Sequence, residues 1–349
     1  MSIIKDYFGL FNNDITIYKY TIKNSNNMSV EILNYGGTII SCRVPDKNGS
    51  LKDVILGYDN LQSYLNGDKF FGALIGRFGN RIEHGKFILN DKEYSLPIND
   101  GPNHLHGGHG YDKVVWNAEI KDDNSLKLSY LSRNGEEGYP GNLNIEVTYV
   151  LTEDNALEIN YYAFSDADTI INLTNHAYFN LSGHESGEIT DQKLMINADS
   201  FTVNDKYSIP TGEVRSVKDS PMDFTKLTPI GKNINNTDDE QINFGQGYDH
   251  NWVLNTQGNI EEKAACAVSE DTGIVMDMYT TQPGVQFYSG NFLDGSDIGK
   301  NDASYVRRSG FCLETQHFPN SINCCNFASP ILRANEKYNQ KTIYKFSTL

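Results

Sequence analysis

The sequence predicts an all-β protein, a single large antiparallel β-sandwich domain spanning residues 1–349. Two observations carry this expectation. Apolar and polar residues alternate in segment after segment, as strands with one buried face require, while helical periodicity is nearly absent. The segments are also joined by short turn-rich stretches, not by the long amphipathic crossovers that parallel strands need.

The strands follow in order. Leu126, Leu128 and Tyr130 form one alternating set, and Ile145, Val147, Tyr149 and Leu151 a second. Leu157, Ile159, Tyr161 and Ala163 make a third, and Ile274, Met276 and Met278 a fourth. Only Asp59 to Leu65 reads as a short helix, with Leu61 and Leu65 on one face. Connections such as Asn134 to Gly141 and Gly245 to Tyr248 are rich in turn residues. The missing βαβ rhythm makes Rossmann and TIM-barrel folds poor candidates. No linker, charge block or internal repeat divides the chain. At this length roughly 75% of the unfolded surface can be buried, so a hydrophobic content of 38% suffices without disulfides or metal.

Charge narrows the function. The chain carries 29 Lys+Arg against 45 Asp+Glu, a net −16. Nucleic acid and anionic membranes are therefore poor partners, since phosphate neutralisation needs clustered cations and only the pair Arg307-Arg308 stands together. Five cysteines, an odd number with no Cys-x-x-Cys spacing, read as reduced and intracellular. Met1 to Leu10 lacks the pattern of a signal peptide, and no run approaches the ~18 apolar residues of a membrane span. A cytoplasmic location is expected.

Reading strands by twos separates candidate chemistry from core. In 170–176, Asn172, Thr174 and His176 share one face and Ile171 and Leu173 the other. In 311–316, Phe311 and Leu313 oppose Cys312, Glu314 and Gln316. A carboxylate and an imidazole on two strands of one sheet suit acid/base work on a neutral substrate. The plainer reading makes His176 a hydrogen-bonded core residue and Glu314 a solvated strand carboxylate. Glycine-flanked polar groups recur in 76–82, 103–108, 248–252 and 282–287, and their planar ends match vicinal hydroxyls. Tyr178, Phe179, Trp252 and Phe287 beside them offer platforms for a sugar face. The same stretches also read as ordinary turns, with Arg77 and Arg81 as exposed strand ends.

His104 and His106 would share a face in an extended segment, as a zinc or iron site requires, but no spacing selects their partners. Phosphate-binding loops are absent. Nothing in the sequence depresses the pKa of Cys312, so it reads as packing.

Taken in order, the stretches Gly76 to Ile82, Leu105 to Gly108, Gly135 to Asn142, Thr174 to Leu181, Tyr248 to Asn251, Gln282 to Tyr288 and Leu313 to Gln316 resemble the aldose 1-epimerases, or galactose mutarotases, over nearly the whole chain. The resemblance implies a galactose mutarotase-like supersandwich that binds a free aldose and interconverts its anomers, as a monomer or homodimer, with no metal or organic cofactor. It implies Glu314 as general base and His176 as general acid. Asn80, Arg81, His106, Tyr178, Asp249 and Gln286 match sugar-contacting positions, and Arg77 a recurrent residue without a catalytic role. Nearby carboxylates should then raise the pKa of His176. The departures are local: Pro319-Asn320 and Cys324-Cys325 replace common family residues, and His104 stands where a small residue is usual. A non-catalytic sugar-binding module would have no reason to keep both Glu314 and His176. An enzyme for hexose 6-phosphates should add a basic pocket.

Overall fold

The computed structural model describes residues 1–349. Two large sheets dominate it, and every strand pairing within them is antiparallel. The nine-stranded sheet runs Asn117–Asp122, Ser125–Ser132, Leu143–Leu151, Ala156–Ser165, Lys337–Thr348, Ile274–Thr280, Ala265–Val268, Lys193–Ile196, Thr228–Pro229. The C-terminal strand thus lies in the middle of this sheet, between Ala156–Ser165 and Ile274–Thr280. The six-stranded sheet runs Tyr178–Phe179, Phe311–Gln316, Gly284–Tyr288, Asp249–Val253, Ser200–Asn204, Pro210–Ser216.

All four alternating sets lie in the nine-stranded sheet, and each turns its apolar members inward. Leu128, Ile145, Val147, Ile159 and Met276 are at most 1% exposed. They meet Phe201, Trp252, Val285, Phe287, Phe311 and Leu313 of the six-stranded sheet in one cluster of 58 buried residues. Each such side chain contributes about 1.5–3 kcal/mol on burial, so this layer holds the sheets face to face. The hairpin between Leu143–Leu151 and Ala156–Ser165 turns at Asn155, in the left-handed region that asparagine tolerates (φ 62°).

A third sheet of five strands, Ser2 to Asp53, covers part of the opposite face of the six-stranded sheet. There a 14-residue apolar cluster joins Ile17, Leu33, Tyr35 and Ile40 to Tyr178, Tyr288 and Cys312. The expected helix forms at Leu61–Asn66, with the Asn60 side chain accepting from Ser63 N. A second helix, Glu240–Gly245, was not legible from periodicity; Asp239 caps it through Gln241 N and Ile242 N. No helix is long and apolar enough to cross a membrane.

Candidate active site

On the face of the six-stranded sheet turned away from the main core, a cavity of about 170 Å³ opens. Alternation along the strands selects its floor. Glu314 and Asp249 point into it, while Phe311, Leu313, His250 and Trp252 point into or against the core. Asn80, Arg81, His106, His176 and Tyr178 join them, and of the expected site residues Gln286 alone is missing from the lining.

Glu314 is 2% exposed, and its Oε2 has no hydrogen-bond partner. It is therefore not a solvated strand carboxylate. Its Oε1 stands 3.8 Å from Nε2 of His176. Both groups are driven toward their neutral forms. Burial pushes the Glu314 carboxyl well above the usual range, Asp249 adds to this, and Arg81 opposes it. Burial also pulls His176 down to about 4, so desolvation overrides the rise expected from neighbouring carboxylates. The imidazole is fixed from behind. His176 N donates to Ala73 O at 2.9 Å, and Nδ1 lies 3.4 Å from Sγ of Cys312, so the cysteine that the sequence reads as packing touches the imidazole.

Arg81 sits on the short strand Arg81–Ile82, paired with His104–Leu105. Its Nε donates to Asp100 Oδ2 at 2.7 Å, and its Nη1 lies 3.9 Å from Asp249 Oδ2. Burial works against its charge, but Asp249, Asp100 and Glu314 more than offset that and raise its pKa. Asp249 is itself raised by burial, against Arg81 and Gln286. Gln286 does not line the cavity. It lies one layer back, where its Nε2 donates to Asp249 Oδ1 at 2.7 Å.

His104 and His106 do not share a face. His106 adopts φ 54°, which breaks the extended run that would align them. The His104 ring turns to Pro97 O and the Tyr139 hydroxyl, and His106 turns to the cavity. There its Nδ1 accepts the Asn80 backbone N–H at 3.1 Å, and burial holds it well below the ordinary imidazole pKa. The turn beyond needs glycine: Gly107 has φ 84°, and a Cβ there would come within 2.0 Å of Gly76 O.

Arg77 is no exposed strand end. It is 2% exposed and donates to Ser132, Pro140, Gly141 and Thr169, tying the 132–141 connection to the sheet. Of the aromatic platforms anticipated, Phe179, Trp252 and Phe287 belong to the main core. The rings at the cavity are Tyr178, Tyr288, Phe292 and Phe70. Tyr288 closes the stretch Gln282 to Tyr288 without having been singled out, and Phe292 and Phe70 lie outside the polar motifs, although Phe70-Phe71-Gly72 closely precedes one of them.

Donor atoms of His106, His176 and Glu314 lie within 4.8 Å of one another, a spacing compatible with a cation. A neutral imidazole has one free lone pair, however, and that of His106 accepts the Asn80 N–H. This ring is thus set as a hydrogen-bond donor toward the cavity, not as a ligand. Nor is there an unpaired cation for a phosphate, since Lys69 lies 2.9 Å from Asp68 and Arg81 2.7 Å from Asp100.

Comparisons with known proteins point to one family. The family model described as aldose 1-epimerase matches residues 18–345. Human galactose mutarotase is 44% identical over 335 residues, covering 95% of this chain and 94% of that protein. Aldose 1-epimerase of Escherichia coli K12 is 35% identical over 329 residues, covering 93% and 94%. The crystal structure of galactose 1-epimerase from Lactobacillus acidophilus superposes with a TM-score of 0.88 at 28% identity, covering 99% of each chain. A match of this length, together with the facing carboxylate and imidazole, identifies the chain as a member of the aldose 1-epimerase family.

Proposed function

We propose that this protein is an isomerase that interconverts the α and β anomers of free hexoses such as D-galactose and D-glucose, with Glu314 as base and His176 as acid. The observation that carries the reading is the 3.8 Å approach of His176 Nε2 to Glu314 Oε1 at a cavity of about 170 Å³.

The proton balance gives burial a role. In opening, the Glu314 carboxylate takes the C1 hydroxyl proton and the His176 imidazolium protonates O5. The C1–O5 bond breaks, leaving the aldehyde, a carboxylic acid and a neutral imidazole. Those neutral forms are the ones that burial favours. Desolvation thus favours the state reached by opening, and closure, which regenerates the charged pair, meets the same effect with the opposite sign. Rotation about C1–C2 presents the other carbonyl face, and the same two groups run the steps backwards. His106, as a neutral donor, and Arg81 offset charge that develops on oxygen. Asp249, Asn80 and Tyr178 hold the sugar, and Gln286 acts through Asp249.

The remaining expectations belong to this reading. They are one domain, a cytoplasmic monomer or homodimer, and no partner beyond the aldose. Polarimetry tests the activity directly. Freshly dissolved α-D-galactose and α-D-glucose should lose rotation faster than the spontaneous rate, and a rate equal to that background would overturn the proposal.

A further inference from the structure

One residue at the cavity is used neither by the motifs nor by the proton transfers. Phe70 has φ 58°, a left-handed conformation in which a bulky side chain persists only if its surroundings hold it. They do. Gly72 N donates to His176 O at 3.0 Å, His176 N to Ala73 O at 2.9 Å, and Asn175 Nδ2 to Gly72 O at 2.8 Å. The turn that presents Phe70 is thereby joined to the backbone of His176 itself. On its other side Phe71 packs edge-on against Tyr178 and Tyr305, with centroids 4.9 and 5.5 Å away. Inside the cavity the Phe70 ring lies over His176 at 5.7 Å and 30°, and edge-on to His106 at 4.8 Å and 70°.

We propose that Phe70 is a positioning residue for anomer exchange, a ring held in a strained turn so that it fixes both imidazoles and keeps water from one face of His176. The inference rests on the reading of Glu314 and His176 as the proton-transferring pair. The other groups facing His176 are Glu314, Cys312, His106, Tyr178 and Tyr288. Of the aromatic rings among these, only Tyr178 also lies near-parallel to the imidazole, at 5.0 Å and 32°. Burial is also what draws the imidazole pKa down, so the ring's removal has a signature besides rate.

Phe70→Asn and Phe70→Gly suit the test, because both residues accept a left-handed backbone and relieve the strain. Both should fold, by circular dichroism, with kcat for α-D-galactose reduced at least about tenfold, the order of a misplaced reacting group. Phe70→Tyr should keep most of the rate. Imidazole NMR titration without sugar, with the His176 signal assigned by its loss in His176→Asn, should show the midpoint moving up toward about 6.5. An unmoved midpoint overturns the inference, whether kcat falls or not, since a fall alone would make Phe70 only a sugar contact. The midpoint is read without turnover. Failure of the anomerase reading, seen as an inactive wild type, therefore stays distinct from failure of this one.

Discussion

The backbone N–H of Asn80 points at Nδ1 of His106 across 3.1 Å, and the backbone N–H of His106 returns to Asn80 O at the same distance. This reciprocal pair sets the tautomer of an imidazole at the cavity. With Nδ1 accepting, the proton of the neutral ring sits on Nε2.

A first prediction concerns metal. Zinc or iron at His106, His176 and Glu314 would have to break the Asn80 contact, so exhaustive dialysis against EDTA should leave the rate unchanged. Loss of activity on chelation, restored by zinc or iron, would show that His106 ligates after all.

Glu314→Gln separates chemistry from binding. The amide keeps the size and hydrogen-bonding reach of the side chain but takes no proton. General base catalysis typically contributes about 10²- to 10⁴-fold, so kcat should drop by at least the lower figure while Kd from calorimetry moves far less. His176→Asn should behave alike, and the double variant little worse, because opening needs both transfers. Near-wild-type turnover in Glu314→Gln would sink the mechanism.

Asp249→Ala should act mainly on affinity. It removes the acceptor proposed above for sugar hydroxyls and leaves the Gln286 amide and part of Arg81 without their partner. Unpairing a buried polar group costs about 1–3 kcal/mol, or about 5- to 150-fold in Kd. An unchanged KM for galactose would count against this placement.

The pH profile reports the pair as a unit, since it carries one proton between two limbs. His176 is depressed to about 4 and Glu314 is raised. The acid limb of kcat/KM should therefore lie near pH 4, where the imidazole gains the second proton, and the alkaline limb well above the usual carboxylate range. An acid limb near about 6.5, the ordinary imidazole value, would mean that water reaches His176. A rate still rising above about pH 9 would remove the protonated acid from the reaction.

Stability should fall on acidification for a related reason, and His250 isolates it. Burial holds His250 down at about 3 in the folded chain, and it lies outside the cavity. The unfolded chain takes up this proton first, so the contribution is complete above about 6.5 and is lost as pH falls toward the folded value, at about 1.4 kcal/mol per pH unit. Urea unfolding of His250→Asn between pH 6.5 and 4 should show a slope shallower by about one proton. An identical slope would mean that the ring is already protonated in the fold.

Much of this arrangement was legible because strand geometry is simple. A period of two divides Phe311 and Leu313 from Glu314, and Ile171 and Leu173 from His176, without any knowledge of topology. The same rule failed at His104 and His106, since it assumes an extended chain and His106 leaves that conformation. It could have sorted Trp252 and Phe287 into the core, had their neighbours Asp249 and Gln286 been read first. Phe70 was hidden for another reason: a left-handed phenylalanine contradicts local preference, so only its surroundings reveal it. The Glu240–Gly245 helix is too short to show a period.

The division of faces along Phe311–Gln316 also bears on how this enzyme tolerates change. All six residues are buried, three toward the core and three away from it. One inserted residue would exchange the two sets, sending a carboxylate into hydrocarbon and Leu313 into the place that Glu314 holds at the cavity. Turnover in this strand is thus a direct gauge of correct threading. New specificities can be sought by lengthening the cavity's loops, while the strands beneath admit only replacement.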